Sequence, residues 1–288
     1  MLMKTIRRFL FLMTALWAMT LQAQWTDHSV LRDHTWYKIG VVEDGVYALD
    51  GAFLQTAGIQ IGQVDPAKIR LLGNVARVLP ERNSDARYDD LSEVAIEVTG
   101  AEDGRFDPQD RILFYGQGPV TMTLGPTNTY SYERHPYTDT IYYYLCLDST
   151  ELGLRMEETS SVQVAEDAPR LTMFPDYWNH ESEELSPYAS GRTWYGDMIT
   201  AQDGFKEFHY AMPHYVRSKP VRLYTKVLGR CASPFTYSLS LNGVELVHQQ
   251  TIESIKAHLY GIEKVVDQMV TLDREGFTLR YELQASNQ

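Results

Sequence analysis

Residues 235–250 read FTYSLSLNGVELVHQQ, two stretches that put an apolar side chain at nearly every second position, joined by Asn242-Gly243. A two-residue alternation gives a strand one apolar and one polar face. Asn-Gly supplies the two positive φ angles of a type I′ turn, so this segment is expected to be a β-hairpin. The same period recurs outward in both directions. It is present at 205–213 (FKEFHYAMP), 220–229 (PVRLYTKVLG), 264–272 (KVVDQMVTL) and 277–285 (FTLRYELQA), and earlier at 36–42 (WYKIGVV), 46–50 (VYALD) and 140–148 (TIYYYLCLD). Many short strands separated by turn signals predict an all-β fold of two β-sandwich-like domains.

Helix signals are sparse. In DGAFLQTAG (50–58) Asp50 can cap and Gly58 can terminate a helix of about two turns, the one short helix expected in the first domain. DPAKIRLLGN (65–74) reads as a proline-fixed turn entering a strand. LSEVAIEVTG (91–100) reads as a half-buried strand with Val94, Ile96 and Val98 on one face. Asp44-Gly45, between two apolar runs, gives a second hairpin signal.

The chain has 288 residues, which suits about two domains. Residues 1–23 have the layout of a signal peptide: Lys4, Arg7 and Arg8, then an apolar stretch from Phe9 to Leu21, with Ala23 at the expected cleavage point. Domain one is expected over 24–150 and an acidic linker over 151–170. A second, sandwich-like domain over 171–288 ends on a strand that is either an edge or part of an incomplete sheet. Losing the leader removes three basic residues and takes the net charge from −12 to −15. Phosphate backbones and anionic headgroups would repel such a surface, so nucleic acid is not an expected partner. The mature chain has no apolar stretch long enough to span a bilayer. Export to the periplasm or outer cell surface follows from the leader.

The densest chemistry lies at 102–118, EDGRFDPQDRILFYGQG. Asp103, Asp107 and Asp110 could hold calcium, helped by Asp89 and Asp90, but an EF-hand spacing around Gly104 fills only half of its positions. The same residues also suit a turn that feeds a strand, and that is the favoured expectation. A glycosidase pair would need opposed rigid walls that one turn does not offer. No other cofactor is expected. Cys146 falls in a strand pattern beside Tyr142 and Tyr144, and Cys231 follows a turn. Either a disulfide or two thiols would fit. None of the eight histidines pairs recognisably with a cysteine as peptidase chemistry requires, so no catalytic residue is assigned.

Taken in order, WYKIGVVEDGVYALD, VDPAKIRLLGN, EDGRFDPQDRILFYGQGP and SGRTWYGD resemble the N-terminal region of the PorU family, gingipain-type cysteine peptidases that act as type IX secretion sortases. The resemblance implies an all-β region preceding a caspase-like peptidase domain whose catalytic His and Cys have no counterpart here. This chain would then be the non-catalytic front portion of such an enzyme. The whole enzyme removes the C-terminal signal of secreted cargo and attaches the cargo to the cell surface. Implied partners are the downstream peptidase domain, outer-membrane secretion components and cargo signal domains. In SGRTWYGD, Arg192 could stack on Trp194 or Tyr195 and pair with Asp197, making either an interface or a local corner. The alternative is a secreted β-sandwich module that binds carbohydrate or protein through aromatic side chains.

Overall fold

A computed structural model describes residues 27–74, 78–80, 82–186, 193–256 and 260–284. Among these the fold is all-β, with antiparallel strands and one short helix. The chain divides into two compact units, residues 1–122 with 132–168, and residues 123–131 with 169–288.

Unit one contains strands β1 (Trp36–Val41), β2 (Gly45–Asp50), β3 (Arg70–Gly73), β4 (Ser92–Glu93), β5 (Glu97–Thr99), β6 (Arg111–Gly116) and β9 (Ile141–Cys146). They form one sheet in the order β1-β9-β3-β4 and another in the order β2-β6-β5. β7 (Val120–Leu124) and β8 (Tyr130–Arg134) form a separate ribbon, whose tip, Thr123–Ser131, groups with the second unit. The inner faces of the two main sheets share one core, to which Val41, Leu71, Tyr143 and Leu145 contribute from the first sheet and Leu49, Ile112 and Phe114 from the second. Each such side chain contributes about 1.5–3 kcal/mol when removed from water.

The helix α1 (Gly51–Thr56) forms where its caps predict. Asp50 accepts from the Phe53 amide at 2.6 Å, and Gly58 takes φ +83° just beyond the end. Asp65 likewise caps a single 3-10 turn, Pro66–Lys68, that leads into β3.

The expected hairpin at Asp44-Gly45 does not form. β1 pairs with β9 and β2 with β6, so the turn is a corner between sheets. Neither Asp44 nor Gly45 takes the positive φ of a type I′ turn. The corner is fixed from elsewhere: the Asp44 carboxylate accepts from the Gly118 amide at 2.8 Å, and the Tyr47 hydroxyl donates to the Glu43 carbonyl at 2.9 Å. A Cβ on Gly118 would sit 2.7 Å from backbone atoms of Val42 and Glu43, which shows how closely the segments approach. Residues 91–100 also divide between sheets, β4 joining β3 and β5 joining β6. Ile96, buried at the break, bridges to Arg155.

Residues 151–156, the head of the expected linker, hydrogen-bond within unit one. The Gly153 amide donates to Ala67, the Ile96 amide to Leu154 and the Met156 amide to Ile96.

Unit two contains β10 (Phe205–Tyr210), β11 (Val221–Gly229), β12 (Phe235–Leu241), β13 (Val244–Ile252), β14 (Ile262–Val270) and β15 (Phe277–Gln284). A four-stranded sheet, β10-β15-β12-β13, and the pair β11-β14 enclose a second core around Tyr237, Leu239, Leu241, Ile252, Leu272 and Leu279. Here the hairpin forms as the sequence predicts. Leu241 pairs with Val244 across Asn242 (φ +50°) and Gly243 (φ +81°), and the Asn242 side-chain oxygen accepts from the Thr278 amide at 2.9 Å. β15 lies between β10 and β12, so the last described strand is interior to its sheet.

Candidate functional site

The acidic stretch forms the connection from β5 to β6. Gly104 takes φ +79°, and the Asp103 carboxylate accepts from the Arg105 amide at 3.0 Å. Asp110 is buried at 5% exposure, and its carboxylate accepts from the Asp107 amide at 2.7 Å. The backbone oxygens of Asp110 and Pro108 accept from the Gly51 and Ala52 amides, satisfying two of the first donors of α1. Between these bonds the chain drives Phe106 into the core. Two of the three expected ligand carboxylates thus cap their own turn, while Asp107 is exposed. Asp90 accepts from the Val30 amide at 2.6 Å and so holds the start of the described chain.

Of the expected interface, Arg192 lies outside the described residues. Trp194 is 42% exposed. Tyr195 forms an isolated two-bond bridge with Leu185, and its hydroxyl hydrogen-bonds to Glu263. Burial first, and then this carboxylate, push the Tyr195 phenol well above its usual range. Asp197 bonds to the Lys206 ammonium and to a His180 ring nitrogen, each at 2.7 Å. Burial alone would raise its pKa, but these two partners bring it below the ordinary carboxylate value. The Trp194–Asp197 segment is therefore tied to three parts of unit two.

The same corner borders an aromatic shelf. Trp178 stacks on His180 with ring centroids 5.9 Å apart and planes 4° from parallel, and it packs against Tyr210 and Phe277. Trp178 remains 43% exposed. Burial, with lesser effects of Tyr281 and Asp197, pushes the Tyr210 phenol up to about 12, so it is neutral at physiological pH.

Both cysteines are free thiols. Cys231 is half-buried with its pKa raised, chiefly by burial and then by Glu253. Cys146 is fully buried, but not in the apolar core. Ile141, Tyr143 and Leu145 point into that core, while alternation turns Cys146 to the opposite face of β9. Its registered neighbours there are Trp36 on β1 and Arg70 on β3. The sulfur lies 3.2 Å from Asp148 Oδ1, and His34 Nδ1 lies 3.7 Å from the same oxygen. One donor atom from each residue falls within 4.8 Å of the others.

The structure therefore brings His34 beside Cys146, a meeting that the sequence does not signal. The pairing of β1 with β9 joins residues more than a hundred positions apart, and no local spacing signals it. The grouping is not wired for peptide attack, because the thiol donates to the carboxylate rather than to the imidazole. Burial and the Asp148 bond raise its pKa to about 11, opposite to the activation a nucleophilic thiol needs.

No family model matches the sequence, and no curated protein matches it. Among solved structures the chain is similar to dimeric latent PorU from Porphyromonas gingivalis, with a TM-score of 0.67 and 23% identity. The match covers 92% of this chain and 24% of that one. The chain therefore has a PorU-like all-β fold, spanning about a quarter of the length of the protein that shares it.

Proposed function

We propose that the chain is a non-catalytic β module of a type IX secretion sortase-like protein. Exported to the periplasm or outer cell surface, it supports a peptidase domain that processes the C-terminal signal of cargo. The observation that carries this proposal is the PorU-like fold over 92% of the chain. It is supported by the chemistry of the two thiols, whose pKa values burial raises and neither of which is activated as a nucleophile. The surface of Trp194 and its neighbours is the proposed contact with the peptidase domain.

The test is to mix the purified chain with the peptidase domain of a type IX sortase and with a cargo signal domain. The chain should co-purify with the peptidase domain, binding should weaken in Trp194→Ala, and the chain alone should leave the cargo intact. Cleavage by the chain alone, lost on Cys146→Ala, would refute the non-catalytic assignment.

The aromatic shelf favours a second reading, a carbohydrate-binding module, since a half-exposed Trp178 backed by Tyr210 offers a flat apolar face to a sugar ring. Glycan binding that disappears in Trp178→Ala, with no association to a peptidase domain, would select it.

A further inference from the structure

We propose that His34, Cys146 and Asp148 form a zinc site that clamps the entry of β1 to the exit of β9. The three residues supply an imidazole nitrogen, a thiolate sulfur and a carboxylate oxygen, the donor types zinc prefers. With zinc–sulfur bonds of about 2.3 Å and zinc–nitrogen or zinc–oxygen bonds of about 2.0–2.1 Å, tetrahedral ligands lie roughly 3.3–3.6 Å apart. The sulfur-to-oxygen edge is 3.2 Å and the nitrogen-to-oxygen edge 3.7 Å, both near those values, and the sulfur and nitrogen lie no more than 4.8 Å apart, so an ion would draw the imidazole and the thiolate toward each other. Calcium fits poorly, because sulfur and imidazole are too soft for it.

The surroundings suit the ion. The Thr35 amide lies 3.3 and 3.2 Å from the two Asp148 oxygens and fixes that carboxylate from outside the ligand set. His34 holds φ +75°, a backbone state that only a few per cent of non-glycine residues adopt, separated from β1 by Thr35 alone. On binding, the Cys146 S–H bond breaks, its electron pair forms the sulfur–zinc bond, and the proton leaves to solvent. Thiolate and carboxylate then balance the two charges of the ion. Arg70, the nearby cation, is already paired with Glu93 at 2.9 Å and Glu151 at 2.8 Å. The His34 and Asp148 side chains are 26% and 52% exposed, which leaves a fourth position for water. Because β1 is an edge strand of its sheet, an ion here would tie it to β9 beyond the ladder of hydrogen bonds that already joins them.

The experiment titrates the metal-stripped full chain with cobalt(II) as a spectroscopic probe, then displaces it with zinc. The expected result is one cobalt per chain with a thiolate-to-cobalt charge-transfer band. That band should vanish in Cys146→Ser and persist in Cys231→Ser. Affinity should fall at least about tenfold in His34→Ala and in Asp148→Asn, a loss typical even for groups outside the ligand shell. Both of those side chains are partly exposed, so the variants should keep the fold, with circular dichroism as the check. Zinc should raise the melting temperature of the parent in a concentration-dependent way and leave that of His34→Ala unchanged. Absence of the band, its transfer to Cys231, or unchanged affinity in both exposed-ligand variants would each overturn the proposal.

Discussion

Replacing Arg155 by methionine should loosen unit one by an amount that its hydrogen bonds allow to be worked out. The Arg155 guanidinium donates to the carbonyls of Pro66 at 2.6 Å, Ile69 at 3.0 Å and Leu154 at 3.2 Å. It thereby ties residues 153–156 to the 3-10 turn and to the start of β3. Hydrogen bonds to a charged group contribute about 1.5–3 kcal/mol each. The shared geometry, and the desolvation that already lowers the Arg155 pKa, take back part of that sum. Methionine keeps most of the apolar stem and removes all the donors. A loss of about 3 kcal/mol, roughly 6–12 °C in melting temperature for a unit of this size, is expected in urea and thermal unfolding followed by circular dichroism. Arg155→Lys should fall between parent and methionine variant, since an ammonium cannot fork to carbonyls on both sides. Limited proteolysis of the methionine variant should cut first between residues 151 and 156. A loss under about 0.5 kcal/mol, the usual scatter of surface substitutions, would refute the claim that these bonds hold the segment.

Gly243→Ala meets no atom within 4 Å but must keep φ +81°, so it should cost about 1–2 kcal/mol of backbone strain. Gly51→Ala should cost clearly more, because its Cβ would fall 2.2 Å from the Asp107 carbonyl oxygen; denaturant midpoints of the two variants check the order. Asp197 has a depressed folded-state pKa, so its contribution is present above the unfolded carboxylate value of about 4 and is lost as pH falls through the folded value. Acid unfolding of Asp197→Asn should therefore lose less stability over that range than the parent. Asp110→Ala should destabilise by about 1–3 kcal/mol by leaving the Asp107 amide without its acceptor. Added calcium should leave the parent's melting temperature unchanged, and a rise would return Asp103, Asp107 and Asp110 to the metal assignment.

Local chemistry was legible wherever one short segment contains its own cause. Asp50 and Gly58 bracket α1, Asp65 and Pro66 set the turn before β3, and Asn242-Gly243 turns β12 into β13. The hairpin expected at Asp44-Gly45 failed because a turn dipeptide limits φ and ψ without choosing a partner strand. Asp44 is held by Gly118, 74 positions away. The candidate site divides the same way. The turn at Asp103 was readable from its Asp-Gly dipeptide, while the buried capping carboxylate of Asp110 and the meeting of His34 with Cys146 and Asp148 were not.

The sequence by itself determined an all-β chain, its helix and its tightest turn, because periodicity and capping act over a few residues. Only the tertiary structure decided which strands pair, and with them that Cys146 lies outside the apolar core beside an imidazole and a carboxylate. The reason is physical. Alternation makes every strand compatible with many partners, and the choice among them depends on burying Val41, Phe114, Tyr143 and Leu145 in one shared core.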